Sequence, residues 1–260
     1  MEGTAYKSNS DNLKEIGLVL LDIGALLMSS GANTARIRTN INRISSAFGY
    51  NTELLVTHRA IMLSVSDSEH NNFFSSLKRT SPHGVNFKVI SGISRMSWRI
   101  VEEQWNIEQI KAELDRLEAL PPYPRILILL MVALAGGAFC RIFGGHQKEM
   151  GITFIATFIG LFIRQEALKR NFNHYLSVYF GAFTASLISG LSVKLNLGYS
   201  PETAFAASVL FLVPGVPLIN TFIDLIDGNI MNGVIRFING LLISFAIALG
   251  LLTAMIIYRI

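Results

Sequence analysis

Residues 212–228 read LVPGVPLINTFIDLIDG, an apolar run that two prolines interrupt. Pro214 and Pro217 each remove a backbone donor and clash with the carbonyl four residues earlier, so a helix through this run must break. Inside a bilayer, the carbonyls freed by such a break must face protein or a water-filled cavity. The run therefore predicts a broken membrane helix that lines a polar pathway.

Polar residues follow the break at helical spacing. Asn220, Asp224 and Asp227 stand at i, i+4 and i+7, and Arg236 and Asn239 stand at i and i+3. In one interpretation Asp224 accepts a proton and Arg236 binds a substrate carboxylate or pairs with an aspartate. In the other, Asp224 and Asp227 lie at a helix end near the headgroups and Arg236 is an ordinary flank. The candidate pathway residues are Pro214, Gly215, Pro217, Asn220, Asp224, Asp227, Arg236 and Asn239.

Long uncharged runs surround this segment on both sides. Three of them reach the ~20 residues that a spanning helix needs, and two earlier ones are shorter. We expect five spans, at about 125–143, 149–164, 173–194, 203–226 and 234–258. The alternative is four spans, with the first two runs forming a re-entrant pair.

Composition agrees with a membrane half and a polar half. Hydrophobic residues make up 51% of the 260 residues and charged residues 15%. Residues 1–120 contain 13 basic and 13 acidic residues, whereas residues 121–260 contain 9 and 5. No basic run or aromatic–basic pattern suggests nucleic acid. A single cysteine, Cys140, excludes an internal disulfide and any zinc site that needs two thiolates from this chain.

The polar half predicts a small α+β domain over residues 1–120, followed by an all-α bundle over residues 121–260. Apolar residues at helical spacing predict two N-terminal helices, and Asn106 with Gln109 predicts a capping box on a later one. Strands are expected at 52–57, 60–66 and 85–90. The first residues contain no basic segment before an apolar stretch, so we expect no cleaved signal peptide and a cytoplasmic N-terminal domain.

A short turn joins the first two predicted helices. Gly31-Ala32-Asn33-Thr34 stops one helix and starts the next, with Arg36 in the first turn of the second. A helix N-terminus can also bind an anion. Gly31, Thr34 and Arg36 are therefore candidate residues of the polar domain.

These residues resemble the threonine/serine exporter family. Residues 30–36, which read SGANTAR, and Phe48-Gly49 are similar to the family's opening segment. The series from Pro214 through Asn220, Asp224, Gly228 and Gly233 to Arg236 resembles its membrane signature. Single-chain members of the family carry two membrane halves, and this chain has the length of one. In size it is similar to the larger subunit of two-component bacterial succinate exporters.

The resemblance implies a subunit of a secondary exporter in the bacterial inner membrane, with no enzymatic activity, cofactor or metal. It implies a small all-membrane partner and a small carboxylate substrate, either a succinate-like dicarboxylate or threonine and serine. A homo-oligomer is a further possibility, and the proton gradient is the expected driving force. The alternative is a membrane-anchored ligand-binding or sensory protein. A hydrolase built on His58, Ser64 and Asp67 is disfavoured because no nucleophile-elbow pattern surrounds them.

Overall fold

A computed structural model describes residues 2–67, 72–80, 84–121 and 123–260, with side chains from residue 11 onward. The described residues are mostly helical. The elements are α1 (Glu2–Ser29), α2 (Thr34–Ala47), β1 (Asn51–Val56), β2 (Ala60–Ser66), β3 (Phe73–Arg79), α3 (Phe87–Glu103), α4 (Ile107–Glu118), α5 (Arg125–Ile142), α6 (Gln147–Lys169), α7 (His174–Lys194), α8 (Pro201–Ala207), a 3-10 turn (Leu210–Leu212), α9 (Gly215–Ile226) and α10 (Ile230–Tyr258).

The chain divides into two compact units. Unit 1 comprises Met1–Pro121 and Val216–Phe237, and unit 2 comprises Pro122–Gly215 and Ile238–Ile260. Nearly all of α9 and the first two turns of α10 therefore belong with the N-terminal residues. Asn220, Asp224, Asp227 and Arg236, which follow the proline break, lie in the same compact unit as the α+β region, whereas Asn239 lies in unit 2.

The core of unit 1 forms around α1. Leu13, Ile16, Leu20 and Ile23 are each at most 2% exposed, as their helical spacing predicts. Apolar residues from α2, the sheet, α3 and α4 complete this core. The predicted capping box is confirmed, since Asn106 and Gln109 each accept a hydrogen bond from the other's backbone N–H at the start of α4.

The sheet is antiparallel in the order β1-β2-β3. The first two predicted strands are confirmed, but the third, at 85–90, is wrong. That segment enters α3, where the Asn86 side chain caps the helix by accepting from the Val89 backbone N–H at 3.3 Å. A short apolar run fits either element, and here the run continues at helical spacing to Ile100. The true third strand pairs with β2 and places Phe74 against Gly17 of α1.

Unit 2 contains the apolar helices. Among the described residues, four helices (α5, α6, α7 and α10) are long and apolar enough to cross a membrane, and a fifth span results if the broken pair is counted as one. The first two predicted runs are α5 and α6, both of which meet this criterion separately. Small residues allow their close packing, because a Cβ on Gly136 of α5 would lie 2.6 Å from Oγ1 of Thr157 on α6.

The predicted helix break is confirmed. The run expected as one span at 203–226 forms α8, a 3-10 turn and then α9, and the helix restarts at Gly215. Pro217 occupies the first turn of α9, where a missing N–H costs nothing because those donors have no partner within the helix. The helix that carries Asn220 and Asp224 therefore begins immediately after the break.

Candidate functional site

The turn between α1 and α2 leaves several backbone groups without helical partners, among them the carbonyls of Ser29 and Ser30, which accept from the N–H groups of Gly84 and Asn86. Gly31 adopts φ +87° and ends α1, with its N–H donating to Met28 O and that of Ala32 donating to Leu27 O. Asn33 caps α2 by accepting from the Arg36 N–H at 2.8 Å. The predicted helix stop and start is thus confirmed. The carbonyls of Gly31 and Ala32 and the N–H of Thr34 remain to be satisfied.

Side chains of α9 and α10 satisfy all three groups. Asn220 Nδ2 donates to Gly31 O at 2.9 Å, and Arg236 Nη2 donates to Ala32 O at 2.9 Å. Asp224 Oδ1 accepts from the Thr34 N–H at 3.0 Å. We call Asn220, Asp224 and Arg236, together with the 31–34 turn, the connector site. It lies entirely within unit 1.

Asp224 and Arg236 also form an ion pair. Arg236 Nε lies 3.1 Å from Asp224 Oδ2, although this contact lacks hydrogen-bond geometry. The Asp224 side chain is fully buried and that of Arg236 is 18% exposed. Since an unpaired buried charge is costly, each of these side chains requires the other. The Asp224 carboxylate also faces the N-terminus of α2, where the helix dipole favours an anion.

Close packing of α9 against α10 brings the pair together. Gly228 takes φ +77° in the turn between the helices, and the Asn229 N–H donates to Asp224 O at 2.7 Å. A Cβ on Gly233 would lie 2.7 Å from Cγ of Leu225, so a larger residue would separate the helices. The turn and the small residue therefore hold Asp224 and Arg236 within contact distance.

Asn232 is a member of the site that the sequence interpretation missed. Its Nδ2 donates to Oγ1 of Thr34 at 3.2 Å and to the carbonyl of Val56 at 2.8 Å, and its side chain is buried. It stands four residues before Arg236 and so shares its helical face. An asparagine four residues before Arg236 in an otherwise apolar helix was the sequence feature that could have indicated its role.

Other predicted pathway residues lie elsewhere. Asp227 is exposed beyond the end of α9, and the structure describes no bond to its side chain. Asn239 belongs to unit 2, where its Oδ1 accepts from the hydroxyl of Tyr175 at 2.9 Å. Arg36 uses only its backbone in the turn, and its side chain is exposed. Asp227 and Asn239 therefore lie outside the connector site, and Arg36, a candidate of the polar domain, contributes no side chain to the turn.

Pro214, Gly215 and Pro217 shape the helix break and are not members of the connector site. Pro214 precedes the first residue of α9, and the carbonyl of Pro217 accepts from Oγ1 of Thr221 at 2.9 Å. Among the described residues, no three His, Cys, Asp or Glu side chains are placed to hold a metal ion. The chemistry available at the connector site is that of a buried carboxylate, a guanidinium and two amides.

Gly31→Ala is expected to weaken the connector site. The residue has a left-handed backbone, and an added Cβ would lie 2.7 Å from the carbonyl oxygen of Gly84. Gly49→Ala is a matched control because Gly49 also has positive φ, at +75°, but no atom within 4 Å of an added Cβ. We expect Gly49→Ala to cost about 1 kcal/mol and Gly31→Ala about 1–2 kcal/mol more. Equal thermal unfolding midpoints for the two purified variants would contradict a steric role for Gly84.

Comparisons with known proteins agree along nearly the whole chain. A family model for threonine/serine exporters matches residues 18–258. A probable succinate transporter subunit of Klebsiella aerogenes is 30% identical over 232 residues, which cover 88% of this chain and 88% of that protein. The corresponding Escherichia coli protein is 28% identical over 254 residues, or 96% and 97% of the two chains.

A longer relative is also similar. A threonine/serine exporter of Corynebacterium glutamicum is 26% identical over 238 residues, which cover 88% of this chain but 48% of that protein. The match thus covers about half of that exporter, and 88% and 97% of the Klebsiella aerogenes and Escherichia coli subunits. No solved structure matches the chain.

Proposed function

Because the chain belongs to the threonine/serine exporter family, we propose that it is one subunit of a proton-driven exporter for a small polar carboxylate. The substrate is a succinate-like dicarboxylate or threonine and serine, the compounds that appear in the names of its relatives. The membrane is the bacterial inner membrane, and the N-terminal residues face the cytoplasm. The chain performs transport and no covalent chemistry.

The buried Asp224–Arg236 pair is the observation that carries this proposal. Both members hold backbone groups of the 31–34 turn, so the charge state of Asp224 is linked to the position of α9 and α10 against that turn. A proton on Asp224 removes the negative charge that balances Arg236, and the present arrangement becomes less favourable. A proton thereby shifts the population between two arrangements of unit 1, as coupled transport requires.

The lengths and names of the relatives support the proposal of a second subunit. The chain matches a threonine/serine exporter over only 48% of that protein, and it matches two proteins named as transporter subunits almost end to end. We propose that a small all-membrane partner supplies the equivalent of the missing half. Two copies of this chain are the alternative assembly.

Efflux measurements test the function directly. Cells that lack their own exporters are preloaded with labelled succinate, threonine or serine and express this chain alone or with a small membrane protein encoded beside it. Faster loss of one solute, abolished by a protonophore, is the expected result, and dependence on the neighbour identifies the partner. If no solute leaves faster although both chains reach the membrane, the exporter proposal fails. A ligand-binding role of the N-terminal domain then becomes the better explanation.

Arg236→Lys is expected to lower the efflux rate about tenfold. Arg236 uses Nη2 for the Ala32 carbonyl and Nε for Asp224, and a lysine ammonium cannot reproduce the two fixed directions of the guanidinium. Arg259→Lys is the matched control, since Arg259 is exposed just beyond α10. The measurement is the initial efflux rate, normalised to protein in the membrane. A wild-type efflux rate in Arg236→Lys would show that only the positive charge at position 236 matters, and not the geometry of the guanidinium.

A further inference from the structure

Arg164 is a cation without a partner in unit 2. It lies on α6, five residues before the helix ends at Lys169, and is therefore inside the helix and not at the flank of the predicted span 149–164. Within the described part of the chain, its side chain makes no hydrogen bond or ion pair, and its Nε is buried without a partner. A guanidinium in an apolar bundle normally has a carboxylate or carbonyl partner.

The acidic residues of unit 2 do not serve as this partner. The sequence provides three, at Glu149, Glu166 and Glu202. Glu149 accepts from three backbone N–H groups, and Glu166 pairs with Arg125 at 3.3 Å and with Arg170 at 3.6 Å. Glu202 is exposed in the first turn of α8. His174 lies within electrostatic range of Arg164, but a protonated imidazole is itself positive.

Two buried hydroxyls on α6 and α7 are also unpaired among the described residues. Thr157 Oγ1 and Ser186 Oγ are fully buried and have no hydrogen-bond partner among the described residues. Thr157 stands two turns before Arg164 on the same face of α6, about 10 Å along the axis. Side chains on a helix lean toward its N-terminus, which is the direction from Arg164 toward Thr157.

Helix α7 packs against Arg164. A Cβ on Gly181 would lie 3.1 Å from Cβ of Arg164, and a Cβ on Gly160 would lie 2.9 Å from Cβ of Ala185. Thr157 Oγ1, in contrast, lies toward Gly136 of α5. The unpaired cation therefore lies where α6 and α7 approach each other closely, apart from the Thr157 hydroxyl.

We propose that Arg164 binds a carboxylate of the exported substrate. The guanidinium matches the geometry of a carboxylate and supplies the charge that unit 2 does not neutralise. This inference rests on the proposed function and adds a substrate-binding residue to it.

The test uses the full purified chain in detergent and measures its thermal unfolding midpoint. Succinate, threonine and serine are the ligands, and chloride and inorganic phosphate at equal ionic strength are the comparison anions. We expect at least one carboxylate to raise the midpoint of the wild type and of Lys169→Gln, an exposed cation near the end of the same helix. Arg164→Gln is expected to lose this rise.

The unliganded protein gives a second readout. Removing a half-buried charge that has no partner relieves a desolvation cost, so Arg164→Gln without ligand is expected to unfold at the same temperature or a few degrees higher. A structural arginine would give the opposite result. A lower midpoint for unliganded Arg164→Gln overturns the proposal.

The outcomes separate this inference from the proposed function. If the wild type exports a carboxylate and Arg164→Gln exports it with unchanged KM and rate, Arg164 is not a substrate ligand although the exporter proposal stands. If phosphate or chloride raises the midpoint as much as every carboxylate does, the site is not specific for carboxylate and the inference fails. If no carboxylate stabilises the wild type, the inference fails as well, whatever the efflux assay shows.

Discussion

Asp224→Asn is expected to lower efflux at least tenfold while the protein still reaches the membrane. The asparagine oxygen can still accept from the Thr34 N–H, so the shape of the connector site is retained. The Arg236 guanidinium, however, loses its counter-charge, and the residue can no longer exchange a proton. Removing one partner of a buried pair costs about 3–5 kcal/mol, and about 1.4 kcal/mol on a barrier is tenfold in rate. The measurement is initial efflux per amount of protein in the membrane.

Asp227→Asn is the matched control for this prediction. It makes the same chemical change three residues further along, at an exposed side chain outside the connector site. Near-wild-type efflux by Asp227→Asn and strong loss in Asp224→Asn is the expected contrast. If both variants export normally, neither aspartate couples transport to a proton. If both fail equally, the loss reflects the end of α9 and not the buried pair.

A double variant separates stability from mechanism. Asp224→Asn with Arg236→Gln removes both charges, so no unpaired buried charge is left. We expect this protein to unfold at a higher temperature than either single variant, since the two effects on stability are coupled. Its efflux is expected to remain low, because the titratable group is still absent. Recovery of both stability and transport would show that the pair serves folding alone.

Local sequence chemistry predicted the helix break and the turn, but not their association. Two prolines break a helix wherever they occur, and the Gly31 turn follows from backbone preferences. The bond from Thr34 to Asp224 joins residues 190 positions apart. Helical periodicity shows which side chains share a face but contains no information on which distant element that face meets. The tertiary packing of unit 1 determines that Asp224 meets the turn between α1 and α2.

Helical periodicity also explains why Asp227 and Asn239 are expected beside Asp224 and Arg236. Asp227 falls at i+7 from Asn220 and would share its face on a continuous helix, but α9 ends at Ile226 and Gly228 turns the chain. Asn239 is three residues after Arg236, and a step of three leaves a helical face by about 60°. That rotation is enough for Asn239 to bond Tyr175 instead. Helical spacing predicts a shared face only for residues that belong to one unbroken helix and are separated by nearly whole turns.

Glu149→Ala is expected to have the largest effect on the stability of unit 2. Glu149 is fully buried at the start of α6. Its Oε1 accepts from the N–H groups of Tyr199 at 2.6 Å and Ser200 at 3.0 Å, and its Oε2 accepts from the N–H of His146 at 3.0 Å. Gly198, at φ +108°, allows the carboxylate to approach because a Cβ there would clash with it. One side chain therefore fixes both the start of α6 and the segment that leads into α8.

The size of this effect follows from the number of donors that lose their acceptor. Each of these partly buried N–H groups loses a hydrogen bond to a charged carboxylate, worth about 1.5–3 kcal/mol, so the three losses lower the unfolding midpoint by roughly 10 °C or more. Glu149→Gln keeps the oxygen for Tyr199 and Ser200 but turns an amide N–H toward His146, so its loss is intermediate. Glu202→Ala, at an exposed glutamate of α8, is expected to stay within about 2 °C of the wild type. Equal midpoints for the alanine and glutamine variants would mean that the charge of Glu149 matters, and not the count of its hydrogen bonds.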